Sequence, residues 1–280
     1  MNIGMIGAGK VGFSIGKYLT ERGIRVTGYY SRSHSSAEEA ADFTDTRAYD
    51  ELDTLVEDSD ALFLTVPDGA IASVWQQIRT LPVENKIISH FSGAVSSAVF
   101  SDIGLTGAFG YSIHPLFAVS DKYNSYKELP RALFTIEGDE AHLSDLKGLF
   151  ERAGNRVEII SAEHKMRYHA AAAMASNLYA GLVRECEQLL MQCGFSAENA
   201  HEALVPLITG NVESIVRKGP AGALTGPIER NDVSTVRNHL AVLSGEDLLV
   251  YRTVSRQVLL TAREKHPDRD YSEMEKVLQS

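Results

Sequence analysis

The chain has 280 residues, of which 44% are hydrophobic, and it carries a formal net charge of −10 with only two cysteines. A chain of this length and composition can bury a substantial core without disulfides, and its acidic balance argues against nucleic acid as the main partner. No basic and apolar leader opens the sequence, and no apolar run approaches the roughly twenty residues of a membrane span. We therefore expect a cytoplasmic protein whose partner is a small molecule.

The most informative feature lies at the N-terminus, where an apolar strand beginning at Ile3 runs into a glycine-rich turn. The turn has the spacing Gly-x-Gly-x-x-Gly and comprises Gly7, Ala8, Gly9, Lys10, Val11 and Gly12. In such a turn the first glycine allows a tight bend, the second lets a pyrophosphate approach the backbone, and the third lets helix and strand pack closely. The pyrophosphate then rests on unpaired N–H groups at the positive end of the following helix. The motif predicts a bound dinucleotide.

A second predicted strand, Ile24 to Tyr30, follows the helix that Gly23 closes and completes a βαβ unit. Sites specific for NAD usually carry an acidic residue about twenty residues beyond the motif. Here the chain reads Ser31, Arg32 and Ser33. A guanidinium flanked by hydroxyls suits a ribose 2′-phosphate, which an acidic side chain would repel. We therefore predict that these residues contact NADP, with NAD as the less favoured cofactor; a solvated loop position for Arg32 is the alternative.

Strand-like runs alternate with helical ones up to residue 160, and the pattern is helical beyond it. Near-continuous apolar runs, such as those at 61–66 and 86–91, are typical of parallel strands that helices cover on both faces. Further candidate strands lie at 108–113, 132–136 and 156–160, and candidate helices lie at 161–193, 196–216, 232–243 and 246–265. We predict the α/β class: a Rossmann-type parallel sheet with helices on both faces in residues 1–160, followed by an all-α domain in residues 161–280 for substrate binding and dimerisation.

Three loops that follow predicted strands carry polar residues. Because the cofactor occupies the carboxyl ends of the strands in such folds, these loops should face the nicotinamide and the substrate. For Val66-Pro67-Asp68, backbone contact with the cofactor and a plain strand-to-helix turn are both open. The second loop contains His90, Ser92 and Gly93, and the third begins at His114. The Ser92 hydroxyl is predicted to bond a carboxylate or carboxamide of the substrate or cofactor, and each histidine is either catalytic or structural.

The Ala-rich segment at 161–193 contains a second group of polar side chains. Lys165, His169, Ser176 and Asn177 follow helical spacing with small residues between them, so that one face displays an amine, an imidazole and an amide. Polar groups inside an otherwise apolar helix are costly unless they are paired. We therefore predict that His169 and Asn177 meet either a ligand or another polar side chain of the helical domain.

Together these motifs resemble those of bacterial proteins that join a Rossmann-like NAD(P)-binding domain to a helical domain of unknown function. These proteins are relatives of pyrroline-5-carboxylate reductase, prephenate dehydrogenase and the 6-phosphogluconate dehydrogenase superfamily. The resemblance covers essentially the whole chain and implies a dinucleotide-binding fold, a helical domain that pairs two subunits, and an oxidoreductase activity. Beyond the glycine turn it is carried by Val66-Pro67-Asp68 with Ile71, His90-Phe91-Ser92-Gly93-Ala94, His114-Pro115, Tyr168-His169-Ala170-Ala171 with Ser176-Asn177, and Leu224-Thr225-Gly226-Pro227 with Arg230, Asp232 and His239.

The chain departs in one respect from the hydroxyacid dehydrogenases of that superfamily, which place a catalytic lysine and an asparagine one helical turn apart. Four residues after Lys165 stands His169, and Asn177 lies about three turns after Lys165 along the predicted helix. We predict that His169 donates or accepts the proton, because an imidazole ordinarily titrates near neutral pH. Lys165 is predicted to hold an anionic group of the substrate. Ser92 and Asn177 would orient the substrate, and His114 is a further catalytic candidate.

These assignments predict an NADP-dependent oxidoreductase that transfers a hydride between the nicotinamide and a small carbonyl, imine or hydroxy-acid substrate. The expected assembly is a homodimer formed through the helical domain, and no metal site is expected. Two alternatives stay open: a non-catalytic NADP-binding sensor or scaffold, and a helical interaction protein with a vestigial dinucleotide fold. In the second domain, Arg230 and His239 would reach the site from the second subunit and bind a substrate carboxylate; a helix-capping and interface role for Thr225 to Asp232 is the alternative. The acidic run Glu137 to Glu140 is predicted to be solvated.

Overall fold

The computed structural model describes residues 1–279 and divides the chain into two compact units. The first unit comprises Met1–Ala175, and the second begins at Ser176. The division therefore falls after helix α6 (Lys165–Ala175) and not before it, where the sequence pattern changes at residue 160. Helix α6 belongs with the first unit because its Tyr168 hydroxyl lies 2.7 Å from Nδ1 of His114, on the sheet.

An eight-stranded sheet forms the centre of the first unit. Its strands are β1 (Ile3–Ile6), β2 (Val26–Tyr30), β3 (Arg47–Ala48), β4 (Ala61–Leu64), β5 (Ile87–His90), β6 (Phe109–Pro115), β7 (Leu133–Gly138) and β8 (Arg156–Ile159). They lie in the order β3-β2-β1-β4-β5-β6-β7-β8. Every neighbouring pair is parallel except β6 and β7, so the predicted parallel sheet is confirmed from β3 to β6 and is wrong at the β6–β7 pair. Residues 116–132 contain only short 3₁₀ turns, whereas a parallel return usually runs through an α-helix.

Side chains of the buried strands alternate between the two faces of the sheet. In β4, Phe63 packs into one apolar cluster with Phe13 and Tyr29, whereas Leu62 and Leu64 pack into the other. Helices cover both faces, as predicted, and they are α1 (Lys10–Glu21), α2 (His34–Thr44), α3 (Leu52–Glu57), α4 (Asp68–Ile78) and α5 (Leu143–Ala153). The near-continuous apolar runs are explained by this double coverage.

The second unit is helical. It contains α7 (Asn177–Gln192), α8 (Ala197–Ala223), α9 (Val233–Val242), α10 (Gly245–Lys265) and α11 (Ser272–Gln279) around a small core that includes Ile228, Val236, Leu259, Met274 and Leu278. In residues 1–279, no helix is long and apolar enough to cross a membrane.

The single helix expected over 161–193 is broken. Ser176 adopts φ −122° and ψ −94°, so that α6 ends at Ala175 and α7 starts at Asn177. The prediction that Lys165 and Asn177 lie on one face of a single continuous helix is therefore wrong. The predicted helix at 196–216 instead extends to Ala223, with a kink at Gly219, where φ is +74°. Strand β3 and helix α11 had no counterpart in the sequence prediction.

The register of the sheet aligns the carboxyl ends of four neighbouring strands. Ile6 pairs with Leu64, Leu64 with His90, and His90 with Ser112. The loops that follow β1, β4 and β5 therefore leave the sheet at the same edge, and β6 runs on past this row to His114. Strand order reverses between β1 and β4, which is the position where open α/β sheets bind ligands.

Candidate active site

The glycine turn has the shape that the motif predicts. Gly7 adopts φ +108°, and a β-carbon there would lie 2.8 Å from the carbonyl oxygen of Thr65. A β-carbon on Gly12 would collide with the carbonyl oxygen of Gly7 and lie 2.7 Å from Oγ1 of Thr65. Thr65 holds the turn by donating its hydroxyl to the Gly7 carbonyl at 2.8 Å. Two of the three glycines are thus required by close packing between β1, α1 and β4.

Gly9 differs from these two glycines because no atom of the protein lies within 4 Å of the position that its β-carbon would occupy. It precedes α1 without a side-chain cap, and the first turn of the helix carries no acidic residue. The first-turn N–H groups therefore present a positive end at an open, exposed surface. This arrangement fits the pyrophosphate of a dinucleotide, with Gly7 to Gly12 as the residues that would hold it.

The segment predicted to contact the adenosine ribose follows β2 directly. Arg32 is exposed and, within the described part of the chain, makes no ion pair or side-chain hydrogen bond, so its guanidinium is available to a phosphate. Ser33 is the N-cap of α2, and its Oγ accepts from the Ser36 N–H at 3.4 Å. Ser31 is half-buried at the strand end. The 2′-phosphate contact of these residues stays a prediction.

The loop after β4 is connected to the loop after β5. Val66 and Pro67 lead into α4, and Asp68, its first residue, accepts a hydrogen bond from the Ser92 hydroxyl at 2.8 Å. Ser92 Oγ also accepts from the N–H groups of Ala94 at 3.1 Å and Val95 at 2.9 Å. These three bonds use the whole hydrogen-bonding capacity of a hydroxyl. Ser92 therefore shapes the loop, and a role in orienting substrate would require it to exchange one of these bonds.

His90 is also held by bonds within this loop. Its side chain is fully buried, Nδ1 accepts from the Ser92 N–H at 3.2 Å, and Nε2 lies 3.3 Å from the Ser96 carbonyl. Burial lowers the pKa of His90 to about 4, so the ring is neutral at physiological pH. With both nitrogens engaged, His90 is a structural residue.

Two other imidazoles converge on Gly93, the residue after Ser92. The position that a Gly93 β-carbon would occupy lies 2.8 Å from Nε2 of His114 and 2.8 Å from Nδ1 of His169. His114 Nδ1 bonds the Tyr168 hydroxyl at 2.7 Å, whereas His169 Nδ1 is buried and has no hydrogen-bond partner within residues 1–279. Burial, reinforced by the charge of Lys165, lowers the pKa of His114 to about 3. The two predicted catalytic histidines therefore meet at one glycine.

Lys165 lies within the same cluster. It is 1% exposed, its ammonium has no hydrogen-bond partner in the described chain, and it lies 5.6 Å from the centre of the Tyr168 ring. Burial lowers the pKa of Lys165 to about 8, and the charges of Glu137 and Asp68 oppose that shift. A buried amine without a hydrogen bond is costly, which marks Lys165 as a functional candidate.

Glu137 corrects the sequence prediction that the acidic run 137–140 is solvated. It is 1% exposed, and its carboxylate accepts from the Ser97 N–H and the Ser97 hydroxyl, both at 2.7 Å. The available signal was its position in the apolar strand β7, where a charge indicates a buried partner. Nothing in the sequence pointed to the hydrogen bond between Tyr168 and His114.

The other predicted residues lie in the second unit. Asn177 is the first residue of α7, and Arg230 is exposed. His239 Nδ1 bonds the Tyr251 hydroxyl at 2.7 Å, beside an apolar cavity of about 330 Å³. The roles predicted for these residues in catalysis and carboxylate binding stay predictions.

Comparisons with known proteins agree with this architecture. Residues 1–115 match the model of a Rossmann-like domain, and residues 132–258 match a domain of unknown function, DUF2520. The chain joins a Rossmann-like domain to a DUF2520 domain. No curated protein matches the chain.

Solved structures share this fold, among them proteins from three different organisms. Protein TM1727 from Thermotoga maritima is 24% identical, with a TM-score of 0.75, over 94% of this chain and 99% of that one. A pyrroline-5-carboxylate reductase from Coxiella burnetii is 16% identical, with a TM-score of 0.61, over 94% of this chain and 96% of that one. A reductive aminase from Aspergillus terreus, solved with NADPH and ethyl-5-oxohexanoate, is 15% identical, with a TM-score of 0.61, over 98% of each chain. At these identities the likeness establishes the fold, and the predicted resemblance to pyrroline-5-carboxylate reductase is confirmed at that level.

Proposed function

We propose that the protein is an NADP-dependent oxidoreductase acting on a small carbonyl, imine or hydroxy-acid substrate. The observation that carries the proposal is the meeting of His114 and His169 at Gly93, at the edge of the sheet where the glycine turn also lies. A protein that only binds a dinucleotide needs the turn, but it has no need for an unpartnered imidazole and a buried ammonium beside it.

The glycine turn would hold the pyrophosphate and Arg32 the 2′-phosphate. When bound, NADPH supplies the hydride that forms the new C–H bond and leaves as NADP⁺. The protein's own residues supply the proton: His169 delivers it to the carbonyl oxygen or imine nitrogen, and takes it back in the oxidative direction. Lys165 and Glu137 set the electrostatic field of the buried site, and the loop 90–95 fixes the position of Gly93.

We further propose that the chain works as a homodimer formed through the helical unit. Helix α7 has no buried residue, and α8 buries only Ala200. Large apolar side chains are exposed on these helices and on α10, among them Leu178, Leu207, Val216, Leu249 and Leu260. Exposed apolar side chains at this density are typical of an interface. Sedimentation equilibrium should give twice the chain mass, and a monomer at micromolar concentration would contradict this assembly.

The first test is an equilibrium titration with NADPH and NADH, followed by nicotinamide fluorescence. We expect NADPH to bind more tightly, and Arg32→Ala to weaken NADPH binding about tenfold or more while leaving NADH binding unchanged, because a charged hydrogen bond to phosphate is lost. Arg25→Ala is the matched control, since Arg25 is exposed at the opposite end of the same strand. Equal binding of both nucleotides would contradict the proposed role of Arg32. If neither nucleotide bound, the proposal that the protein is an NADP-dependent oxidoreductase would be contradicted.

A substrate panel follows. Ketones, aldehydes, cyclic imines and hydroxy acids would be tested for oxidation or reduction of the nicotinamide by absorbance. Nucleotide binding without turnover across the panel would favour the non-catalytic sensor over the enzyme.

A further inference from the structure

Glu137 is a buried carboxylate on β7 that takes no part in the proposed proton transfer. It is 1% exposed, and one of its oxygens accepts from the Ser97 N–H while the other accepts from the Ser97 hydroxyl, both at 2.7 Å. Two accepting oxygens are typical of the ionised form, since protonation would turn one of them into a donor. A buried charge is costly unless an opposite charge balances it, and Ser97 supplies none.

Strand β7 and helix α6 bring Glu137 and Lys165 together. Side chains alternate along β7, so that Ile136 packs into the apolar cluster on one face of the sheet whereas Thr135 and Glu137 point to the other face. Tyr168 of α6 lies against Thr135. Lys165 precedes Tyr168 by three residues, on the same side of the helix, and its Nζ lies 5.6 Å from the centre of the Tyr168 ring. Helix α6 therefore runs over the face of β7 that carries Glu137.

The Lys165 ammonium faces groups of both charge types. They are the carboxylates of Glu137 on β7 and Asp68 on α4, the imidazoles of His90 on β5, His114 on β6 and His169 on α6, and the Tyr168 ring. Burial lowers the pKa of Lys165 to about 8, and the two carboxylates oppose this shift, so the amine is charged at neutral pH. Its charge reaches the candidate site, because it adds to burial in lowering the pKa of His114.

Of the two carboxylates, Glu137 is the stronger partner for Lys165. Asp68 is exposed and water screens its charge, whereas Glu137 is buried and unscreened. Both also fix the loop after β5, since Asp68 accepts from the Ser92 hydroxyl and Glu137 from Ser97. The acids that hold this loop in place are therefore the acids that balance the buried ammonium.

We propose that Glu137 is a positioning residue that serves as the buried counter-ion of Lys165 and keeps its ammonium charged while hydride is transferred to a carbonyl carbon. The inference rests on the proposed function and deepens it. Negative charge develops on a carbonyl oxygen as hydride arrives. Without the charge of Lys165, the carboxylates of Glu137 and Asp68 would remain unbalanced near the site and would oppose that development. Reduction should therefore fail at alkaline pH, at the point where Lys165 loses its proton.

The pairing is tested by a pH titration of protein labelled with ¹³C at lysine, followed by the Hε–Cε NMR signals. Lys165→Met identifies the Lys165 signal. We expect Lys165 to be protonated at pH 7 in the unaltered protein, and Glu137→Gln to lower its midpoint by about one pH unit or more. A neutral Lys165 at pH 7 would overturn the proposal whether or not Glu137→Gln folds.

Two variants separate the charge of Glu137 from its hydrogen bonds. Ser97→Ala removes one bond but keeps the carboxylate, so it should leave the Lys165 midpoint unchanged. Asp68→Asn removes the exposed charge and should lower the midpoint less than Glu137→Gln does. A midpoint that does not move in Glu137→Gln, or that moves as far in Ser97→Ala, would mean that Glu137 only anchors the loop.

The consequence for the reaction is tested by the pH profile of reduction, using the ketone or aldehyde of the substrate panel with the highest turnover. We expect kcat to fall at alkaline pH with the midpoint measured for Lys165, and this midpoint to move to lower pH by the same amount in Glu137→Gln. A profile that stays in place while the NMR midpoint moves would overturn the role in the reaction. Absence of turnover across the panel would contradict the proposed function instead, and the NMR titration would still decide whether Glu137 is the counter-ion.

Discussion

The loop after β5 and helix α6 both contribute polar side chains near Gly93, but they differ in whether those side chains have hydrogen-bond partners within the protein. In the loop, both nitrogens of His90 and all three hydrogen-bonding positions of Ser92 Oγ are engaged within the protein. On α6, the ammonium of Lys165 and Nδ1 of His169 are buried without a hydrogen-bond partner in the described chain.

This difference separates groups that stabilise the fold from groups that cost stability. A buried polar atom with a partner contributes favourably, whereas one without a partner carries its desolvation penalty. Proteins retain such penalties chiefly at functional sites. Substitutions in the loop should therefore lower the free energy of unfolding, and substitutions on α6 should lower activity while leaving stability unchanged or raised.

His169→Ala should give the largest effect. If its imidazole transfers the proton, turnover of an identified substrate falls by about 10²- to 10⁴-fold, while the free energy of unfolding changes little. The measurements are steady-state kinetics and denaturant unfolding. His164→Ala is the matched control, because His164 is an exposed histidine in the turn just before α6. Unchanged turnover in His169→Ala would place this residue with the structural group.

Lys165→Met tests the predicted cost of the buried amine. The pKa of Lys165 is about 8 in the folded protein, below that of an exposed lysine, so below pH 8 both states are protonated and the folded state carries the full penalty. Between pH 8 and about 10.4 the unfolded state binds more protons, and the stability of the unaltered protein rises by about 3 kcal/mol relative to the variant.

The measurement for Lys165 is urea unfolding of both proteins at several pH values. Lys147→Met, at a half-exposed position on α5, is the control. The difference in free energy of unfolding between Lys147→Met and the unaltered protein should be the same at every pH. A constant difference between Lys165→Met and the unaltered protein across this range would mean that the amine is not destabilised by burial.

His90 tests the loop side of the comparison, in a more acidic pH range. Its folded pKa of about 4 lies below that of an exposed histidine, so the unfolded state binds more protons between about pH 6.5 and 4. Stability is therefore lost as the pH falls through this window, by about 3 kcal/mol for His90 alone. His90→Gln should unfold with a shallower acid dependence, followed by circular dichroism. His164→Gln should keep the original dependence, and an unchanged slope in His90→Gln would mean that His90 titrates normally.

The sequence predicts the fold of the first unit better than it predicts the site. Glycine spacing and apolar runs report local geometry and burial, so the turn at Gly7 and the buried strands are confirmed. Hydrogen-bond saturation is a property of atoms brought together from distant segments. His90 and His114 look alike in sequence because both follow apolar runs, and only the partners Ser96 and Tyr168 separate their roles. The direction of β7 depends on its connection, which carries no periodic signal.

We expect the smallest effects at Ser33, which combines a structural role with a proposed role in cofactor binding. Its hydroxyl caps α2, and it also follows Arg32, where the 2′-phosphate is proposed to bind. Ser33→Ala should cost about 0.5 to 1 kcal/mol of stability through the lost cap. Ser33→Asp should retain the cap, since aspartate is a good N-cap, but weaken NADPH binding and not NADH binding, because its charge repels a phosphate. Fluorescence titration measures both affinities. If Ser33→Asp bound NADPH normally, the phosphate would lie away from Ser33, and this residue would belong entirely with the structural group.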